Sequence, residues 1–299
     1  MGFASRLFPW ARCRVFARDH GVPTIAPMWF RPGFGKLLRG GIELDSFWQI
    51  FYSGLFRSHP NEIPTWAGFL LTLRCQKISD RALDSANCQQ DVAELKERRD
   101  VLLVFSGDEE YFAPLIGHSE YIHAELKRVA RPRFLKQVDD LGELPIVLNI
   151  RFGTDFPDPV IVDGQLKRGH KTPLPWFIES LRHIRAAAGY DVPAMIVSDA
   201  PTQALNALFE LPNVRLLRPT SPMSDLLAVA RAKVLLASGS STFSAWGAWL
   251  GQMPAISHPG QPLLGPWRFE AEKGQVVVEF DPARPHPGFL TQVRGIFRG

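Results

Sequence analysis

Leu235-Leu236-Ala237-Ser238-Gly239-Ser240-Ser241-Thr242-Phe243-Ser244-Ala245-Trp246-Gly247-Ala248-Trp249-Leu250 changes character twice over a short distance. An apolar run ends at Ala237, small residues turn through Ser238–Thr242, and Phe243, Trp246, Trp249 and Leu250 then recur at helical spacing. The pattern is a buried strand, a tight turn and a helix N-terminus. Free amide groups and the positive end of the helix dipole suit such a turn to an anion, and small residues let a phosphate approach the backbone. A second reading stays open, a helix simply capped by Ser241 or Thr242. The turn has neither the lysine of a Walker loop nor the full glycine set of a dinucleotide fold.

Outward from this stretch, apolar strands and amphipathic helices alternate. Asp100–Phe105, Pro145–Ile150, Ala194–Val197, Val214–Leu217, Lys233–Leu236 and Pro254–Ser257 read as strands. Helical patterns run from His118 to Arg131 with Pro132 just past the end, from Thr172-Pro173 through Ile184 with Thr172 as N-cap, through Leu205 and Leu208, and from Ser224. A helix is also expected around Phe112, Leu115 and Ile116, and one from Trp10 to Ala17. Alternation of this kind specifies a parallel sheet with helices on both faces. Two such sets lie on either side of about residue 142. The expected domains are 1–142, whose first strand is missing, 143–275, and a tail over 276–299. Residues 45–52 fit helix or strand equally, and 86–100 read as a surface helix or loop.

The chain has 299 residues, 45% hydrophobic and 21% charged, enough for proper cores. There is no apolar run of bilayer-spanning length and no secretory leader pattern. Cys13, Cys75 and Cys88 form an odd, scattered set that suggests a reducing, cytoplasmic setting without a disulfide framework. A net charge of +4 suits an anionic ligand or a membrane surface, so peripheral contact with the inner face of a membrane stays open. The absence of a dense Lys/Arg block argues against nucleic acid. The eight histidines are scattered and no Cys-x-x-Cys is present, so no metal site is expected.

Arg151 and Asp155 follow the strand that ends at Ile150, and ligands of open α/β sheets bind outside such strand ends. An arginine there can grip a diphosphate through two parallel N–H bonds, or form a surface ion pair with Asp155 or Asp158. Asp199 follows the next strand, where it could accept from a ligand's N–H or hydroxyl, or close an Asx turn or cap the next helix.

Ser-Ser-Thr-Phe-Ser at 240–244, followed by Trp246-Gly247-Ala248-Trp249-Leu250, resembles the C-terminal motif of the α-1,2-fucosyltransferase family. It is similar more loosely to the superfamily that includes the α-1,6- and protein O-fucosyltransferases. Asn149-Ile150-Arg151-Phe152-Gly153-Thr154-Asp155-Phe156 is similar to the protein O-fucosyltransferase motif His-x-Arg-x-Gly-Ser-Asp-Trp. Gly2-Phe3-Ala4-Ser5-Arg6-Leu7-Phe8 resembles the family's Gly-x-Gly-Asn loop. The departures are Ser240 for Asn, Ala245 for Trp, Asn149 for His, Ala4 for Gly and Ser5 for Asn.

The resemblance implies the GT-B architecture, two Rossmann-like domains facing a cleft, with the acceptor against the N-terminal half. It implies an inverting glycosyltransferase that moves fucose, or a related sugar, from a GDP-sugar to a glycan hydroxyl, with no cofactor beyond that donor. Arg151 would hold the β-phosphate, with Ser240, Ser241, Thr242 and Phe243 on the diphosphate. Ser5 takes the place of the family's loop Asn. Asp199 and Asp225 match acidic positions near the nucleotide, with helix capping as the alternative for Asp225. Asp155 is the one motif residue available as general base. The altered positions leave two further readings: a decayed fold that binds nucleotide or glycan without turnover, and a transferase for another nucleotide sugar.

Overall fold

A computed structural model of the chain describes residues 2–26, 55–57, 59, 62–83, 88–98, 100–108, 110–153, 156–162, 165–217, 221–263, 271 and 274–298. Residues 45–52 lie outside these. The chain forms two units, Met1–Arg131 and Pro132–Gly299.

The first unit opens with helix α1 (Phe3–His20), which begins well before the first periodic apolar residue and takes in Ser5. Strand β1 (Thr24–Ile25) pairs in parallel with β2 (Glu62–Ile63). After helix α2 (Thr65–Arg74), strand β3 (Gln76–Ser79) pairs in parallel with β4 (Val101–Val104), and helix α3 (Cys88–Glu97) lies between them in sequence. The helix expected around Phe112 is a single 3-10 turn, Ala113–Leu115. Tyr111 at φ 47° and Gly117 at φ 80° bracket it and leave no room for an α-helix. Helix α4 (Ser119–Val129) matches the amphipathic stretch from His118. Arg14 of α1 is buried and bonds Thr24, Glu62 and Glu125, so a paired charge joins α1, β1, β2 and α4.

In the second unit Pro132, just past the end of α4, also opens the next helix, α5 (Pro132–Asp139), because the first helical position needs no amide hydrogen. The remaining elements are β5 (Ile146–Ile150), β6 (Ile161–Val162), β7 (Gln165–Leu166), α6 (Leu174–Ala188), β8 (Ala194–Ser198), α7 (Asn206–Phe209), β9 (Val214–Leu216), α8 (Pro222–Ala230), β10 (Val234–Ala237), α9 (Thr242–Gly251), β11 (Ala255–Ser257), β12 (Val277–Glu279) and α10 (Pro287–Arg298). Residues 276–299 thus carry a strand and a helix. The main sheet has the order β12-β11-β10-β5-β8-β9 and every neighbouring pair is parallel. The chain starts at β5 in the middle, steps outward through β8 to β9, returns beside β5 at β10, and steps outward the other way. That is the doubly wound order, and its reversal point lies between β5 and β10.

The sheet is buried on both faces, which explains why its strands read as unbroken apolar runs. Ile146, Leu148, Val234, Leu236 and Ile256 pack with Trp176, Phe177, Leu181 and Ile184 of α6 and with Phe289 and Val293 of α10. The opposite face carries α8 and α9, and Trp246 and Trp249 are fully buried with ring centroids 5.3 Å apart. Each indole removes about 150–250 Å² from water, roughly 4–6 kcal/mol at about 25 cal/mol/Å². That outweighs the cost of about 1 kcal/mol for glycine inside the helix, so tertiary burial makes α9 a helix. Among the described residues, no helix is long and apolar enough to cross a membrane.

Candidate functional site

The carboxyl ends of β5 and β10 are tied together at the reversal point. Ser238 donates its amide to the Asn149 carbonyl at 3.0 Å, and its hydroxyl oxygen accepts the Arg151 amide at 3.1 Å. Asn149 is buried beneath them. Its amide nitrogen donates to the Val197 carbonyl at 3.2 Å, and its oxygen accepts the Ser244 hydroxyl at 2.6 Å. One side chain therefore joins β5, β8 and α9, a structural use for the position at which the family motif has histidine. Asn149→Ala removes both bonds and leaves the buried Ser244 hydroxyl without this acceptor. We expect a loss of about 2–4 kcal/mol, read as a lower urea midpoint; a midpoint unchanged within error would contradict this role.

Among the described residues, Arg151 pairs with Asp199 and not with Asp158. Its Nη1 lies 2.9 Å from Oδ2 of Asp199. Asp158 pairs with Lys171 at 2.7 Å, a bond that holds its carboxyl below the usual range, and Asp155 lies outside the described residues. Asp199 does not cap its own following segment. Its oxygens accept the amides of Phe152 at 2.7 Å and Gly153 at 3.1 Å, so it fixes the loop after β5 as well as the guanidinium. With these three donors, its carboxylate orients Arg151. The Arg151 side chain keeps 25% of its surface at the carboxyl end of the sheet, with its Nε buried.

The turn at Ser238–Ser241 is built for close approach. A Cβ on Gly239 would overlap the carbonyl oxygen of Gln261 and lie 2.6 Å from its carbon. Ser240 accepts the Gly169 amide at 2.9 Å, and Ser241 is the cap of α9, accepting the Ser244 amide at 3.4 Å. Thr242 and Phe243 occupy the first two helical positions, where amides have no intrahelical acceptor. Thr172, expected to cap α6, donates instead to Gln261 at 2.6 Å, and Pro173 stands at the cap position. Arg151, Asp199 and the turn thus meet where the strand order reverses, the place at which open α/β sheets bind ligands.

No protein-family model matches the chain, and no curated protein matches it. Solved structures do. The fucosyltransferase NodZ from Bradyrhizobium is 13% identical, with 85% of this chain and 91% of that one covered and a TM-score of 0.50. POFUT1 in complex with GDP-fucose is 13% identical, with 86% and 94% covered and a TM-score of 0.49. The fold is fucosyltransferase-like. It is the α/β, mainly parallel architecture of the GT-B fucosyltransferases, and the narrower α-1,2 likeness rests on the sequence motif.

The other expected residues lie on helices. Ser5 sits in the first turns of α1, in the first unit. Asp225 is in the first turn of α8, but the cap there is Ser221, whose hydroxyl accepts the Ser224 amide at 3.1 Å. Among the described residues, no group of three His, Cys, Asp or Glu side chains could hold a metal ion. Ser238, buried, lies in the expected anion turn, whereas Gln261, also buried, is a candidate-site residue that the sequence reading did not single out. Gln261 lies in a Gly-Gln-Pro loop that matches no motif, so no signal marked it.

Proposed function

We propose that this chain is an inverting glycosyltransferase that moves fucose from GDP-fucose to a glycan hydroxyl. The observation that carries the reading is the meeting of Arg151, held by Asp199, with the first turn of α9 at the reversal point of the sheet. Support comes also from the fold shared with NodZ. The acceptor oxygen attacks the anomeric carbon as the bond from that carbon to the diphosphate oxygen breaks. GDP leaves with the bonding pair, and the acceptor proton passes to a base, for which Asp155 is the motif's candidate. The Arg151 guanidinium and the Thr242 and Phe243 amides neutralise the charge that grows on the diphosphate.

The test is release of GDP from GDP-fucose by the full chain, with a panel of glycan acceptors, in the presence and absence of EDTA. Because fixed cationic and dipolar groups of the chain supply the stabilising charge, we expect acceptor-dependent turnover that persists in EDTA. A loss in EDTA that added metal restores would contradict this account of the charge. GDP binding without turnover on any acceptor would favour a nucleotide-binding protein on the same fold.

A further inference from the structure

Between β5 and α6 the chain makes the hairpin β6–β7, and the segment after it is clamped to the nucleotide turn. Gly169 donates to Ser240 at 2.9 Å. Gln261, fully buried, donates its side-chain amide to the carbonyls of His170 at 3.0 Å and Lys167 at 3.4 Å, and accepts the Thr172 hydroxyl at 2.6 Å. The Gln261 backbone is the wall against Gly239, so one residue fixes both the turn and the hairpin.

Beside this clamp is a cavity of about 450 Å³, lined by Lys167, Arg168, Leu166, Gly260, Pro262 and Glu279, among others. Gly260 follows β11 and Glu279 ends β12, so the cavity opens on the same carboxyl edge as Arg151, toward the β12 side. The side chains of Lys167 and Arg168 are in no ion pair or hydrogen bond among the described residues. Glu279, the one described carboxylate in the lining, accepts the Gly260 amide at 2.7 Å. Among the described lining residues, two cations stand against one carboxylate, an excess of positive charge in a concave site.

We propose that this cavity is a second oxyanion subsite, where Lys167 and Arg168 take a phosphate or carboxylate group and Gln261 is the positioning residue that holds the hairpin in place. Its place beside the turn makes it rest on the transferase reading in one respect: the oxyanion comes either from the donor's diphosphate or from an acidic acceptor.

Calorimetric titration of the full chain with inorganic phosphate and with GDP, in wild type and Lys167→Gln/Arg168→Gln, tests it. Both changes are polar replacements of exposed side chains, and equal melting temperatures confirm that the fold is kept. Phosphate that binds wild type already saturated with GDP, and binds the double variant about tenfold more weakly or less, supports the subsite with an acidic acceptor as source. GDP bound about tenfold more weakly by the double variant supports it with the donor as source. Affinities for both ligands that agree within about twofold between the two proteins, or no phosphate binding by wild type together with unchanged GDP affinity, overturn it. Wild type that binds phosphate but not GDP would count against the transferase reading while the phosphate arm still decides the subsite.

Discussion

If the chain performs the proposed transfer, Arg151→Lys is expected to lower GDP-fucose turnover by about 100-fold or more, the scale of removing one preorganised donor from a developing charge. The wild-type guanidinium is planar and held at 2.9 Å from Asp199, so it can keep that bond and still present parallel N–H groups to a diphosphate. An ammonium at the end of a flexible stem can face the carboxylate or the diphosphate, but it cannot reproduce the fork. The loss falls mainly on kcat, because charge on the diphosphate grows toward the transition state. Steady-state kinetics on purified, folded variant read it; a kcat within about threefold of wild type would remove Arg151 from the chemistry.

Gly239→Val has the largest expected effect on binding. Even a Cβ overlaps the Gln261 carbonyl oxygen, and a branched side chain adds two further carbons. Backbone must move, and what moves is the turn itself, because Gln261 is fixed by Thr172, His170 and Lys167. The expected outcome is loss of measurable GDP binding with a melting temperature lowered by several degrees, the range of about 1–3 kcal/mol that overpacking a tight site costs. A Gly239→Val protein with wild-type stability and GDP affinity would show that the close approach has no functional weight.

The second unit was legible because its strands are buried on both faces and therefore read as apolar runs between helical patterns. Even the turn after β10, with Ser241 as cap, follows from small residues placed between Ala237 and Phe243. Pairing partners were less legible. Arg151 finds Asp199 across 48 positions of sequence, whereas local spacing offered Asp155 and Asp158. Thr172 had a capping signature but gives its hydroxyl to Gln261, because a buried glutamine oxygen needs a donor and Pro173, in extended backbone, holds the cap position. The strand β12 has only three residues, Val277–Glu279, and its short valine run precedes a stretch of prolines and charges, so it carries little periodic signal of its own. It is a strand because β11 offers it an open edge. In the first unit, the helix expected around Phe112 yields to the positive φ of Tyr111, which no propensity announces.

The most direct test of the central claim is calorimetric titration of the wild-type chain with GDP and with guanosine. If the diphosphate lies between Arg151 and the first turn of α9, two charge-assisted grips separate the ligands, and GDP binds about 100-fold or more tightly. Equal affinity for GDP and guanosine would contradict the account and leave Ser238–Phe243 as an ordinary capped helix start.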